Sequence, residues 1–152
     1  MYQRILVPID GSTTSARGLK EALSLAHTCR ASVVLLHVLE YSPVMLEMAT
    51  STTWELVDRD LRAQARDLID AARSQAKAEG IACEGHVVDA AAQRVCDVVV
   101  GQAKEHRCDL VVMGTHGRRG FNRVMVGSDA ELVVRNCPLP VLLVRHPEAR
   151  RP

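Results

Sequence analysis

Short apolar runs alternate with amphipathic segments from one end of the chain to the other, and this alternation constrains its fold more than any other feature. Arg4-Ile5-Leu6-Val7-Pro8-Ile9 is a compact apolar stretch closed by the turn pair Asp10-Gly11, the form of a buried strand. Ser12 then predicts a helix N-cap, with Ala16, Leu19, Leu23 and Ala26 falling on one face behind it. Val33 to Leu39 is rich in β-branched residues and apolar on both faces, which suits a central strand of a parallel sheet covered by helices above and below. Thr52 and Glu55 have capping-box spacing at the head of a helix carrying Leu61, Ala65, Leu68, Ala72 and Ala76, which Gly80 terminates. Ile81 to Asp89 is a third strand whose interruption by Glu84 and His86 fits a sheet edge. Val95, Val98, Val99, Gln102 and Ala103 mark a third helix, Asp109 to Gly114 a fourth strand, Ser128 to Asn136 a fourth helix, and Pro140 to Arg145 a fifth strand. Strands separated by helices predict a single α/β domain, and right-handed crossovers place helices on both faces of the sheet.

Composition removes several function classes. A chain of 152 residues is one domain in size and buries roughly 70% of the surface its unfolded form exposes, so it needs no staples. Nineteen Lys and Arg against eighteen Asp and Glu leave a formal charge of +1, which argues against electrostatic capture of nucleic acid or an anionic membrane. No apolar run exceeds four residues, so no transmembrane helix is expected. Met1-Tyr2-Gln3-Arg4 leads straight into the first strand, so no signal peptide is expected. Cys29, Cys83, Cys96, Cys108 and Cys137 are never closer than 12 positions, which excludes zinc-ribbon and dithiol spacings. They read as reduced, apolar fillers, and the expected location is the cytoplasm. The domain is expected over 1–146, followed by a loose charged tail at 147–152. Tyr41 to Thr53, with Pro43, Met45 and Met48, is the one long connection, either a flexible crossover or a flap over a ligand.

In open α/β sheets a ligand sits beyond the strand C-termini, where strand order reverses. The segments after the first and fourth strands are the richest in glycine and polar residues. The stretch Gly114-Thr115-His116-Gly117-Arg118-Arg119-Gly120-Phe121-Asn122-Arg123-Val124-Met125-Val126-Gly127-Ser128 begins at a strand end and finishes at a helix start. Glycine lets backbone amides approach a ligand and tolerates positive φ. The free N–H groups of the helix opening at Ser128 add an anion site suited to phosphate. This is neither a Walker loop nor a Rossmann fingerprint, and on composition alone a plain turn fits as well as a phosphate cradle.

The spacing Gly114-x2-Gly117-x9-Gly127-Ser128 resembles the nucleotide signature G-x2-G-x9-G-[ST] of the universal stress protein family. Ile5-Leu6-Val7-Pro8-Ile9-Asp10-Gly11-Ser12 resembles that family's opening strand and turn, and Cys137-Pro138-Leu139-Pro140-Val141-Leu142-Leu143-Val144 its closing strand. The resemblance spans roughly residues 2–145 and implies a three-layer α/β/α fold with sheet order 3-2-1-4-5. It also implies the family's ATP-binding branch. Pro8, Ile9 and Asp10 would border the adenosine, Val38 would line the adenine pocket, and Met113 and Gly114 would flank the ribose. Gly117, Gly127 and Ser128 would hold the phosphates. The fifth strand, Val141 to Val144, would form a homodimer seam. Asp129 departs from the neutral residue usual after Ser128; it is either an outward-facing helix-terminal acid or is reconciled with a triphosphate by a Mg²⁺ bridging its carboxylate to the phosphates.

Other residues admit two readings. His116, Arg118, Arg119 and Arg123 either touch phosphate or are solvated loop residues, and His37 is expected to be a satisfied core histidine. Ser12 reads as a cap, with no Ser-His-Asp arrangement around it. The expected function is a nucleotide-responsive stress protein with at most slow ATP hydrolysis. The alternatives are a slow ATP hydrolase or nucleotidyl-transfer enzyme, and a dimeric interaction module that binds no nucleotide.

Overall fold

A computed structural model describes residues 1–41, 47, 50–115 and 126–145. Five strands, β1 (Arg4–Pro8), β2 (Ser32–Leu39), β3 (Cys83–Asp89), β4 (Leu110–Gly114) and β5 (Val141–Val144), form one parallel sheet in the order β3-β2-β1-β4-β5. Among the described residues four helices join them: α1 (Thr13–Cys29), α2 (Ser51–Ala78), α3 (Val95–Glu105) and α4 (Ser128–Asn136). Strand alternation sends side chains to opposite faces. Ile5, Val7, Val33, Leu35, Leu110 and Val112 pack against α1 and α2. Leu6, Val34, Leu36, Val111 and Met113 pack against Cys96, Val99 and Ala103 of α3 and Ala130 and Val133 of α4. The two-sided run in β2 is thus the middle of an α/β/α sandwich, and β3 and β5 are its edges.

The helices begin and end for local reasons. Ser12 Oγ accepts from Ser15 N at 3.1 Å, so Ser12 caps α1 as its sequence position predicts. Gly80 adopts φ +71 behind α2, and Ile81 N donates back to Ala76 O at 2.9 Å. Two expectations change. The cap of α2 is Thr50, whose Oγ1 accepts from Thr53 N at 3.4 Å, and Thr52–Glu55 is not the capping pair. Spacing cannot choose among neighbouring hydroxyl residues. The observed start places Trp54 against Tyr41, ring centroids 4.8 Å apart. On α1, Ala16 is exposed, and the buried stripe is Ser15, Gly18, Leu19, Ala22, Leu23 and Ala26. A purely apolar stripe overlooks Ser15 and Gly18, which face the end of β4.

That contact fixes where β4 ends. A Cβ on Gly114 would lie 2.7 Å from the carbonyl carbon of Thr14 and 2.8 Å from its oxygen, and one on Gly18 would lie 3.1 Å from Gly114 N. Positive φ among the described glycines belongs to Gly11 and Gly80, so Gly114 is required for close packing, not for an unusual backbone. Gly114→Ala should therefore destabilise the fold by about 1–3 kcal/mol, the usual range for overpacking. Urea unfolding measures this, and a loss below half a kilocalorie would show that α1 moves aside freely.

Candidate functional site

Beyond the C-terminal ends of β1, β2 and β4, where the chain order reverses between β1 and β4, lies a cleft with a cavity volume of about 330 Å³. Pro8, Ile9 and Asp10 enter it from β1, Val38 from β2, Met113 and Gly114 from β4, and Gly127, Ser128 and Asp129 from the start of α4. Nine residues singled out in the sequence thus meet in one place. His116 and Gly117, together with Arg118, Arg119 and Arg123, lie outside the described residues, as do Pro43, Met45 and Met48 and the tail.

The walls also contain residues that spacing did not single out. Leu36 belongs to the β2 face already directed at α3, and Val95 and Val99 project from α3 itself. Ala130 and Val133 continue the apolar wall along α4. Glu40, at the end of β2, and Thr115, just past Gly114, are polar lining. The signal for all of them was position: each lies on a face or strand end adjoining the singled-out residues.

Hydrogen bonds hold the rim. His37 is buried, and its Nδ1 lies 2.8 Å from Ile9 O, an acceptor, so Nδ1 carries the proton. Ile9 N donates to Leu36 O at 2.8 Å, extending the β1–β2 ladder to the cleft edge. Asp10 Oδ1 accepts from Ser12 N at 2.8 Å, closing a turn, while Asp10 N donates to Ser15 Oγ at 3.1 Å. On the far side, Thr115 N donates to Val144 O at 3.0 Å and Gly127 N to Thr115 O at 2.7 Å. This last bond brings together the two ends of the glycine-rich segment.

The start of α4 differs from the starts of α1 and α2. Gly127 is its N-cap, with φ −63 and ψ 150, and among the described residues no side chain caps it. An uncapped helix start presents backbone N–H groups and the positive end of the helix dipole. Asp129 and Glu131 occupy the first turn, which favours the helix and adds negative charge at the cleft.

Next to Glu40, Tyr41 donates its phenolic hydrogen to Asp58 Oδ1. Arg62 binds the same carboxylate through Nε at 2.9 Å and reaches Asp89 Oδ2 at 3.1 Å, tying α2 to the ends of β2 and β3. Burial, then the bond to Asp58, pushes the Tyr41 phenol up to about 12. The Tyr41 hydroxyl and Arg62 hold Asp58 below the ordinary carboxylate range.

The chain belongs to the universal stress protein family, whose family model matches residues 1–145. Universal stress protein MJ0531 of Methanocaldococcus jannaschii is 29% identical over 148 residues, covering 97% of this chain and 85% of that one. The structure of MJ0577, from the same organism, superposes with a TM-score of 0.83 at 25% identity, covering 96% of this chain and 97% of that one. A universal stress protein in complex with cAMP superposes with a TM-score of 0.67 at 26% identity, covering 95% and 97%. Among the described residues, no helix is long and apolar enough to cross a membrane.

Because the folded-state pKa of Tyr41 lies above its ordinary value of 10.0, its contribution to stability is present below pH 10 and is lost as pH rises through about 12. In a Tyr2→Phe variant, which leaves Tyr41 as the only phenol, the ultraviolet phenolate signal should have its midpoint near 12. A midpoint at 10.0 would mean that the hydroxyl does not hold Asp58.

Proposed function

We propose that this chain is an ATP-binding universal stress protein, a cytoplasmic homodimer that reports nucleotide state to other proteins. The observation carrying this reading is the convergence of Pro8, Asp10, Val38, Met113, Gly114, Gly127 and Ser128 on one cleft that ends at the uncapped start of α4. Apolar side chains from β2, α3 and α4 offer a surface for a purine. Asp10 and Glu40 offer acceptors for ribose hydroxyls, and the α4 amides with Ser128 offer donors for phosphate oxygens. The solved relative in complex with cAMP supports an adenine nucleotide as the ligand class. Gly117 and His116 belong with the phosphate groups in this reading.

The described lining contains the carboxylates of Asp10, Glu40 and Asp129 and no Lys, Arg or His. A triphosphate therefore needs its charge offset by backbone amides and a divalent ion, and Mg²⁺ held between Asp129 and phosphate oxygens fits this donor set. Phosphoryl transfer also needs a positioned nucleophile and dense positive charge. No residue of the chain is assigned as a base or water-positioner in this reading, so any hydrolysis is expected to be slow.

Binding stabilises the native state by about 2.7 kcal/mol at a ligand concentration of 100 times Kd. Mg-ATP should raise the melting temperature of the wild-type protein, and mass analysis of freshly purified, denatured protein should find adenine nucleotide. Gly127→Val keeps an allowed backbone and should lower the ligand-free Tm by only about 2–4 °C while abolishing the ATP shift. A wild-type midpoint unmoved by millimolar nucleotide would favour the interaction module that binds none.

The homodimer reading rests on β5. This edge strand has four residues, with Leu142 38% exposed and Val141 and Leu143 half-buried. An apolar edge needs a partner or a cover. Leu142→Lys should convert a dimer to a monomer in light scattering, and an unchanged mass would place the seam elsewhere.

A further inference from the structure

On edge strand β3, a cluster of side chains is organised for a different ligand. Glu84 and His86 are two residues apart on β3, so both project from one face of the strand. His86 pairs in register with Leu36, whose side chain packs against α3, so that face is the α3 side of the sheet. His106 caps the C-terminus of α3, and its ring stacks on His86 with centroids 4.2 Å apart. One ligand atom from each of Glu84, His86 and His106 lies within 4.8 Å of the others.

The hydrogen bonding leaves this group incomplete. Among the described residues, the buried side-chain polar atoms without a hydrogen-bond partner are Arg4 Nε and His86 Nε2, and both belong to this cluster. His86 Nε2 lies 3.5 Å from Glu84 Oε2, beyond a good hydrogen bond, while Glu84 Oε1 pairs with Arg4. The proton on His106 is placed by its neighbours. Gln102 Nε2 donates to Glu105 Oε2 at 2.6 Å, which turns Gln102 Oε1 toward His106 Nε2 at 3.2 Å. An amide oxygen only accepts, so His106 Nε2 carries the hydrogen and Nδ1 keeps its lone pair. An outer hydrogen bond that fixes one ring nitrogen so that the other is free is the arrangement usual for metal-binding histidines.

We propose that Glu84, His86 and His106 bind a divalent transition-metal ion of the Zn²⁺ class, joining edge strand β3 to the end of α3. Two imidazoles and a carboxylate form a donor set suited to zinc, with water completing the shell. Zn–N and Zn–O bonds of about 2.0–2.2 Å bring tetrahedral ligand atoms roughly 3.4 Å apart, so ligand atoms up to 4.8 Å apart must close by as much as about 1.4 Å. Glu84 and His86 side chains are 41% and 34% exposed, which leaves them room to turn and leaves water a way in. The Arg4 guanidinium opposes a second cation, and its pairing with Glu84 Oε1 softens that repulsion while leaving Oε2 for the metal. This site is independent of the nucleotide reading, and either can fail alone.

The test is calorimetric titration of the full chain with Zn²⁺, alongside the visible spectrum with Co²⁺. The expected result is one ion per chain and a cobalt spectrum without a thiolate charge-transfer band. His106→Ala and His86→Asn should each weaken binding by at least about tenfold, while His27→Ala leaves it unchanged. Glu84→Gln, at an edge position where folding is least at risk, should weaken it as well. Circular dichroism confirms that each variant is folded, and the Mg-ATP melting shift should persist in all of them. The proposal is overturned if the wild-type protein takes up no Zn²⁺, if folded His106→Ala and Glu84→Gln bind as well as wild type, or if cobalt shows cysteine ligation.

Discussion

α1 and β4 meet backbone to backbone, and the geometry of the cleft depends on that meeting. Gly18 and Gly114 leave no side chain between the helix and the strand end, with the Thr14 carbonyl directly over Gly114. The close approach brings the turn after β1, Asp10 to Ser12, beside the end of β4. A larger residue at either glycine would separate the elements carrying Asp10 and Met113, the two sides of the space beyond the sheet. Ser15 belongs to the same arrangement: it is buried and supports Asp10 N through its hydroxyl.

The rest of the sandwich follows from parallel pairing. β1 lies at the centre with β2 and β4 on either side, so its side chains enter both layers of the core and its C-terminus opens on the reversal. At the sheet's other end, Asp109 accepts from Gln3 N and Arg4 N at 2.7 and 3.0 Å, tying the chain start to the β4 approach. Arg4 then reaches Glu84 on β3. Charges therefore knit that end of the sheet, as Arg62 with Asp58 and Asp89 does at the far ends of β2 and β3.

Much of this was legible in the sequence. Val33-Val34-Leu35-Leu36 declared a strand buried on both faces, and Gly80 declared a helix stop, because each signal is local and strong. The strand order came through the resemblance to universal stress proteins, because periodicity does not say which strands are neighbours. Spacing also located the β4 and α4 residues of the cleft, since the family signature runs along one stretch of chain. Glu40, Val99 and Val133 escaped because their role depends on crossovers that bring distant elements together. Ala16 was misplaced since apolarity marks a stripe only where the facing surface accepts a methyl group; opposite β4 the fit demanded glycine and serine. The pairing of His86 with His106 was equally invisible, two histidines twenty positions apart and joined only by the packing of α3 across β3.

The hydrogen bond from Gly127 to Thr115 carries one more consequence. Its two residues act as posts, joining the end of β4 to the start of α4 through one backbone contact. Because both partners are main-chain atoms, this tie does not depend on the identity of either side chain, and the separation of the strand end from the helix start is set by the backbone itself.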